Sequence, residues 1–293
     1  MRKIFLYLLL FSGLISVAQT QQNINKNSGT VSNAISTIDS IRFTGSSTTM
    51  EVVLQNGTVV SHPISDILNV NFIIANQDSC DATNVFNPNL SYGSMTDQEG
   101  NVYKTIVIGT QEWMAENLKT TIYRNGEPIA TNLTDVEWEN TPNTQIGAWA
   151  FYNNDSQYDC PYGKLYNWFA VADPRHVCPT GWHEPTDGEW TVLTDYLGGG
   201  SVAGGKMKST GTQYWLDPNQ DATNESGFSG LPGGVRIPSQ FFNFGNTGYW
   251  WSSSENETID AWERNIGYNN GIAYRGNGDG DKVNCLSVRC LRD

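Results

Sequence analysis

Apolar positions along this chain recur mostly at every second residue, in short runs broken by Asn, Gly, Ser, Thr and Asp. That period marks half-buried strands. Residues 38–43, 50–54, 58–62 and 67–74 form a first group of such runs, and Asn56-Gly57 within it is a two-residue hairpin signal. A phrase repeats inside the group: Ile35, Ser36, Ile38, Ile41 and Phe43 recur 29 residues later as Ile64, Ser65, Ile67, Val70 and Phe72. Two copies are too few to stack as a solenoid. The group therefore reads as one small β module over residues 35–75. Residues 19–34, rich in Gln, Asn, Ser and Thr, read as a flexible leader. Residues 76–94 are polar, contain Cys80 and Pro88, and read as a linker.

A second group starts near Met95 and runs to the end of the chain at residue 293. Val102, Lys104, Ile106 and Ile108 alternate in a strand over 102–108, a segment over 111–117 carries Trp113 and Met114, and a short strand covers 148–152. Only two stretches show the helical period. Leu165, Trp168, Phe169 and Ala172 share a face over 164–172, which Pro174 ends. The stronger stretch is CPTGWHEPTDGEWTVL, residues 178–193. Thr186 and Glu189 make a capping box there, and Pro185 and Trp190 are spaced as a hydrophobic staple. Trp190, Leu193 and Leu197 then lie on one face, and Gly198-Gly199-Gly200 ends the helix. Beyond it come a turn-rich stretch over 227–236, a strand over 249–254, a hairpin of 261–268 with 272–275 about Asn270-Gly271, and a last strand over 286–291. Trp250 and Trp251 point to opposite faces of their strand, which places at least one in the core. Two helices followed by a β-rich, irregular half predict an α+β domain over 95–293.

Charge narrows the function. Thirty acidic residues against 17 Lys and Arg give a net charge of −13, so the chain lacks the basic face that nucleic acid or an anionic membrane requires. Arg2 and Lys3 precede an apolar run over 4–17, and Ser16 and Ala18 fit a small-x-small cleavage site. Residues 1–18 therefore read as a signal peptide, and no later segment is apolar enough to span a membrane. The expected location is secreted or at the outer cell surface, with the periplasm as the remaining compartment. Export permits disulfides, but five cysteines leave one over and their spacing does not fix the pairing. The N-terminal module, or Cys80, offers a route to an oligomer.

Candidate chemistry is sparse. No His-Glu-x-x-His helix, phosphate-binding loop or nucleophile elbow occurs. His62, His176 and His183 lack the paired spacing of a structural zinc site and read as hydrogen-bonded turn residues. Asn277, Asp279 and Asp281 place oxygen ligands at every second position, like the start of a calcium loop, but Lys282 stands where such a loop needs Gly. A solvated acidic turn is the favoured reading, with calcium as the alternative and no other cofactor implied. Trp262, Arg264, Tyr268, Asn269, Asn270, Tyr274, Arg275 and Asn277 surround the last hairpin. Rigid amphipathic rings mixed with Arg and Asn are what an adaptable binding surface uses.

The pieces DQEGNVYKTIVIGTQEWMAENLKT, YGKLYNWFAV, VCPTGWHEPTDGEWTVL, GFSGLPGGVR, GYWWSSSE and SVRCLRD occur in that order over 97–293. Together they resemble the Fibrobacter succinogenes major paralogous domain, a family of exported bacterial proteins. That family is similar to a branch of the C-type lectin fold related to formylglycine-generating enzymes. The resemblance implies that the two ends of the domain meet, with a Cys178–Cys290 disulfide joining them and Cys160–Cys285 as a second pair. Residues 249–293 also look like the variable region of lectin-fold proteins diversified by retroelements. The Glu-Pro-Asn and Trp-Asn-Asp motifs of calcium-dependent sugar binding are missing. Cys285 and Cys290 resemble the spacing of the enzymes' oxidising pair, yet Cys290 falls on the terminal-strand motif. The expectation is thus an exported, non-enzymatic protein that binds a polysaccharide or protein ligand. A structural component of the cell surface is the alternative, and an oxidase the third reading.

Overall fold

A computed structural model of the chain describes residues 84–276 and 281–293, together with the strands between residues 21 and 73. The stretch read as a signal peptide, the expected Asn56-Gly57 turn and Cys80 lie outside the described residues. The chain divides into two compact units, Met1–Asp78 and Ser79–Asp293.

The first unit holds β1 (Gln21–Lys26), β2 (Gly29–Ala34), β3 (Ile38–Thr44), β4 (Thr49–Leu54), β5 (Val59–Pro63) and β6 (Ile67–Ile73). They form two three-stranded sheets, ordered β2-β1-β6 and β3-β4-β5. The repeated phrase falls on β3 and β6, each an edge strand of its own sheet. Met50, Val52 and His62 are buried. The leader expected to be flexible over 19–34 contains β1 and β2, with Ile24 opposite both Val31 and Val70. Only one strongly apolar residue per strand gave the sequence too little alternation to reveal them.

The second unit contains β7 (Gly93–Thr96), β8 (Val102–Ile108), β9 (Gln111–Met114), α1 (Asp135–Glu139), α2 (Thr141–Thr144), β10 (Trp149–Ala150), α3 (Asp159–Tyr162), β11 (Leu165–Asn167), α4 (Trp168–Val171) and β12 (Trp182–His183). There follow α5 (Asp187–Tyr196), α6 (Gly200–Met207), β13 (Val235–Ile237), β14 (Gln240–Phe242), β15 (Thr247–Glu255), β16 (Ala261–Gly267), β17 (Ala273–Gly276), β18 (Cys285–Leu286) and β19 (Leu291–Arg292). Three antiparallel sheets result: β12-β19-β9-β8-β7, β10-β11-β18-β13-β14 and β15-β16-β17. The C-terminal strand β19 sits between β9 and β12, with Leu291 opposite both Trp113 and His183. The ends of the domain therefore meet, and the Cys178–Cys290 disulfide lies beside that junction.

Helix α5 is built as its sequence predicts. Thr186 Oγ1 accepts from the Glu189 N–H, and Glu189 Oε2 accepts from the Thr186 N–H at 2.7 Å. Trp190, Leu193 and Leu197 are buried in one core with Trp113, Phe228 and Trp250. Trp251 belongs to a second core with Met114, Tyr166, Cys178 and Cys290. The two neighbouring tryptophans thus serve opposite faces of β15, and both are fully buried. Their indole N–H groups donate to Asn117 Oδ1 and the Tyr166 carbonyl, so neither ring is buried with an idle donor. Each such burial contributes about 1.5–3 kcal/mol.

Four more expectations need correcting. Residues 164–172 begin as strand β11, and Asn167 caps only the short α4. The stretch read as linker over 76–94 joins the domain from residue 84 on: Val85 is buried, and Phe86, Leu90 and Tyr92 pack against the core. The glycines after Leu197 do end α5, with Gly198 at φ +101°, but the stretch beyond them, expected to be loop and short strand, opens with a second helix, α6. Its own glycines allow close packing, since a Cβ on Gly204 would lie 2.3 Å from the Ile272 carbonyl oxygen. Finally, Cys160 and Cys285 do not pair. Cys285 is a free thiol buried among Trp138, Ala150 and Leu165, whereas Cys160 is exposed on α3 and disulfide-bonded. One lies in the interior and the other at the surface.

Candidate functional site

The hairpin β16–β17 carries most of the predicted binding residues, and its pleat separates them. Arg264 stands opposite Arg275 and Trp250, while Tyr274 stands opposite Asn265 on the other face. Arg264 is buried and committed to α5: Nη1 donates to Asp187 Oδ1 at 2.7 Å, and Nη2 donates to Thr191 Oγ1 at 3.1 Å. Exposed Arg275 donates to the same carboxylate through Nε and Nη2. Burial works against the Asp187 charge, but hydrogen bonds from both arginines outweigh it and hold the carboxyl below the usual range. The Arg275 guanidinium also lies 3.3 Å from the Trp262 ring centre. One face of that indole is thus covered by the protein's own cation.

The turn of the hairpin is held from below. The buried Lys208 ammonium donates to the carbonyls of Gln220 (2.6 Å), Gly267 (3.0 Å) and Asn270 (2.9 Å). Burial pushes its pKa down to about 8. Tyr268 is half-buried against the core, Asn270 Oδ1 accepts from the Ile272 N–H, and Asn269 Oδ1 accepts from Asn270 Nδ2. Of the eight hairpin residues, Asn269, Tyr274 and Arg275 are exposed, whereas Arg264, Tyr268 and Asn270 shape the scaffold. Asn277 and Asp279 lie outside the described residues. Asp281 accepts from the Val283 N–H at 3.2 Å. Among the described residues no group of three or more His, Cys, Asp or Glu side chains could hold a metal ion.

A concavity lies apart from the hairpin, lined in part by other C-terminal segments. It is a cleft of about 810 Å³ between α1–α2, α4 and the segments 255–259 and 281–283. Trp168 and Phe169 of α4 line it together with Ile259, which is 64% exposed. Trp168 is fixed by its indole N–H, which donates to the Ser252 carbonyl at 3.0 Å. Lys282 Nζ lies 4.7 Å from the centre of the same ring and pairs with Glu255. Trp168 and Phe169, expected to share a helical face with Leu165 and Ala172, are half-buried on a one-turn helix, where Trp168 packs against the core and both line the cleft.

Polar side chains elsewhere mainly brace the scaffold. Arg289 is fully buried and donates to Asn117 Oδ1 and to the carbonyls of Phe228 and Ser229. His183 lies between two carboxylates, with Nδ1 2.7 Å from Asp293 Oδ1 and Nε2 2.9 Å from Glu189 Oε1. His176 Nδ1 lies 3.0 Å from Glu184 Oε2, while Glu184 Oε1 accepts from the N–H groups of Val177 and Cys178.

Residues 106–292, more than half of the chain, match the profile of the Fibrobacter succinogenes major domain. The chain belongs to that family. No curated protein and no solved structure matches it. Within the Fibrobacter succinogenes major domain, the matched span takes in both the hairpin and the cleft. The β module of the first unit lies outside the match.

Proposed function

We propose that this protein is an exported, non-catalytic recognition protein. Its second unit is a variant of the C-type lectin-like fold and binds a polysaccharide or protein ligand on the surface made by its C-terminal segments. The observation that carries this reading is the cleft of about 810 Å³, whose lining combines the aromatic side chains of α4 with residues of segments 255–259 and 281–283. Ligand sites are concave and mostly apolar, with a few convergent polar groups. Export rests on Arg2-Lys3, the apolar run over 4–17 and the Ser16/Ala18 cleavage pattern, and the disulfide accords with an oxidising compartment. Among the described residues no helix is long and apolar enough to cross a membrane.

The cysteines speak against the oxidase reading. Cys290 is bonded to Cys178, and burial pushes the Cys285 thiol far above its ordinary range. A reactive dithiol needs accessible thiolate. One observation favours the structural alternative: Val107, Val192, Tyr196 and Val202 are exposed apolar side chains on β8, α5 and α6.

The test is an equilibrium binding screen of the full chain against polysaccharides and surface-protein extracts, with calcium or EDTA. Ile259→Asp would alter the cleft and Tyr274→Ala the hairpin, both at exposed positions. Saturable binding lost in Ile259→Asp supports the reading. Absence of binding across both panels, by folded and oxidised protein, moves the reading to assembly.

A further inference from the structure

The charged groups around the cleft are unequally occupied. Its lining includes four carboxylates, Glu139, Asp173, Glu255 and Asp281, and one basic side chain, Lys282. Asp173 is paired with Arg175, which donates to both carboxylate oxygens. Glu255 is paired with Lys282. Lys282 also donates to the carbonyls of Glu257 (3.0 Å) and Thr258 (2.7 Å). An ammonium has three N–H bonds, so these three contacts use all of its donors. Nothing basic in the lining is left to receive an anionic ligand. Glu139 is exposed at the end of α1, and Asp281, also in the lining, is half-exposed. No basic partner balances either of them among the contacts described above.

The remaining lining is apolar. Trp168, Phe169, Pro142, Pro238, Ile259 and Val283 supply flat or aliphatic surface in the same lining as the two carboxylates. A long aliphatic stem ending in a cation satisfies both features at once: its methylenes cover ring and proline surface, and its head reaches a carboxylate. The net charge of −13 acts in the same direction by attracting a basic partner from a distance.

We infer that the cleft docks a lysine- or arginine-bearing segment of another protein, with the basic heads meeting Glu139 and Asp281 and the aliphatic stems lying on Trp168, Phe169 and Ile259. This inference rests on the proposed recognition role and selects its ligand class.

The experiment uses the full oxidised chain and fluorescence anisotropy. One probe is a short labelled peptide of alternating lysine and alanine, blocked at both ends. Its glutamine counterpart and labelled cello- and xylo-oligosaccharides are the other probes. The lysine peptide binds and the glutamine peptide does not. Affinity falls at least about fivefold between about 0.05 M and about 0.3 M salt, because exposed charges are screened over that range. Glu139→Gln and Asp281→Asn each weaken binding about two- to fivefold, the size expected for an exposed ion pair. Ile259→Asp adds a carboxylate but removes apolar wall, and circular dichroism checks that each variant is folded. Lysine-peptide binding that ignores both carboxylate substitutions overturns the inference. Saccharide binding lost in Ile259→Asp, without lysine-peptide binding, overturns it while leaving the recognition role intact. No binding by any probe or in the wider screen overturns both.

Discussion

Replacing Cys178 and Cys290 together by Ala measures how strongly the disulfide joins the two ends of the domain. The bonded residues are 112 apart in sequence. Closing a loop of that length in the unfolded chain costs about 16 cal/mol/K, or about 4.8 kcal/mol at 25 °C, all of which the bond removes from the folding equilibrium. Structure remaining in the unfolded chain lowers this figure, and loss of two buried sulfurs from the core raises it. The expected net loss is about 3–5 kcal/mol. All ten tryptophans lie between Trp113 and Trp262, so tryptophan fluorescence during urea unfolding reports the second unit alone. The midpoint falls, and the urea dependence steepens because the unbridged chain exposes more surface. A loss below about 1 kcal/mol would refute the loop-closure argument.

Three further outcomes concern Arg289, His183 and Lys208. Arg289→Met removes a guanidinium on which Asn117, Phe228 and Ser229 rely, and urea unfolding registers a loss of about 3–5 kcal/mol. Burial opposes the His183 charge, but hydrogen bonds to Asp293 and Glu189 outweigh it and raise the pKa above 6.5. Stability from His183 is therefore fully present below pH 6.5 and lost as pH rises through the raised folded value. The partly exposed site limits the effect to about 1 kcal/mol, and thermal melts of His183→Gln at acidic and alkaline pH show the difference disappearing. Lys208 runs the other way: burial lowers its pKa from 10.5 to about 8, so the unfolded chain binds more protons between those values. Wild type gains stability over Lys208→Met as pH rises through that window, by at most about 3 kcal/mol in paired urea titrations.

Much of the second unit was legible because its signals are local. The Thr186–Glu189 capping box, the Trp190/Leu193/Leu197 face and the hairpin about Asn270-Gly271 each depend on neighbours a few residues away, and each forms. The meeting of the two ends came from the resemblance of SVRCLRD, and β19 and the Cys178–Cys290 bond bear it out. Helix α6 was hidden because Gly204 and Gly205 are helix breakers by propensity; they serve instead to bring α6 against Ile272 and Asp221. The Cys160–Cys285 pairing that the resemblance implied failed because Cys285 lies in the interior and Cys160 at the surface.

The binding surface was less legible. Residue types suited to recognition cluster at the hairpin, but no composition argument reveals that Asp187 engages Arg264 and Arg275 or that Lys208 holds the turn. Those are contacts between residues separated by tens of positions. The cleft was missed for the same reason, since its walls come from segments near 140, 170, 257 and 282. Trp168 and Phe169 gave the only local signal, two aromatic residues in YNWFAV that the helical period placed on one face with Leu165 and Ala172.

Hydrogen exchange by mass spectrometry, on the full chain with and without a ligand found in the binding screen, tests the central claim most directly. The account predicts slower exchange in segments 168–174, 255–259 and 281–283, with little change along the exposed face of α5. Protection confined to Val192, Tyr196 and the adjoining turn, with the cleft unchanged, would contradict it.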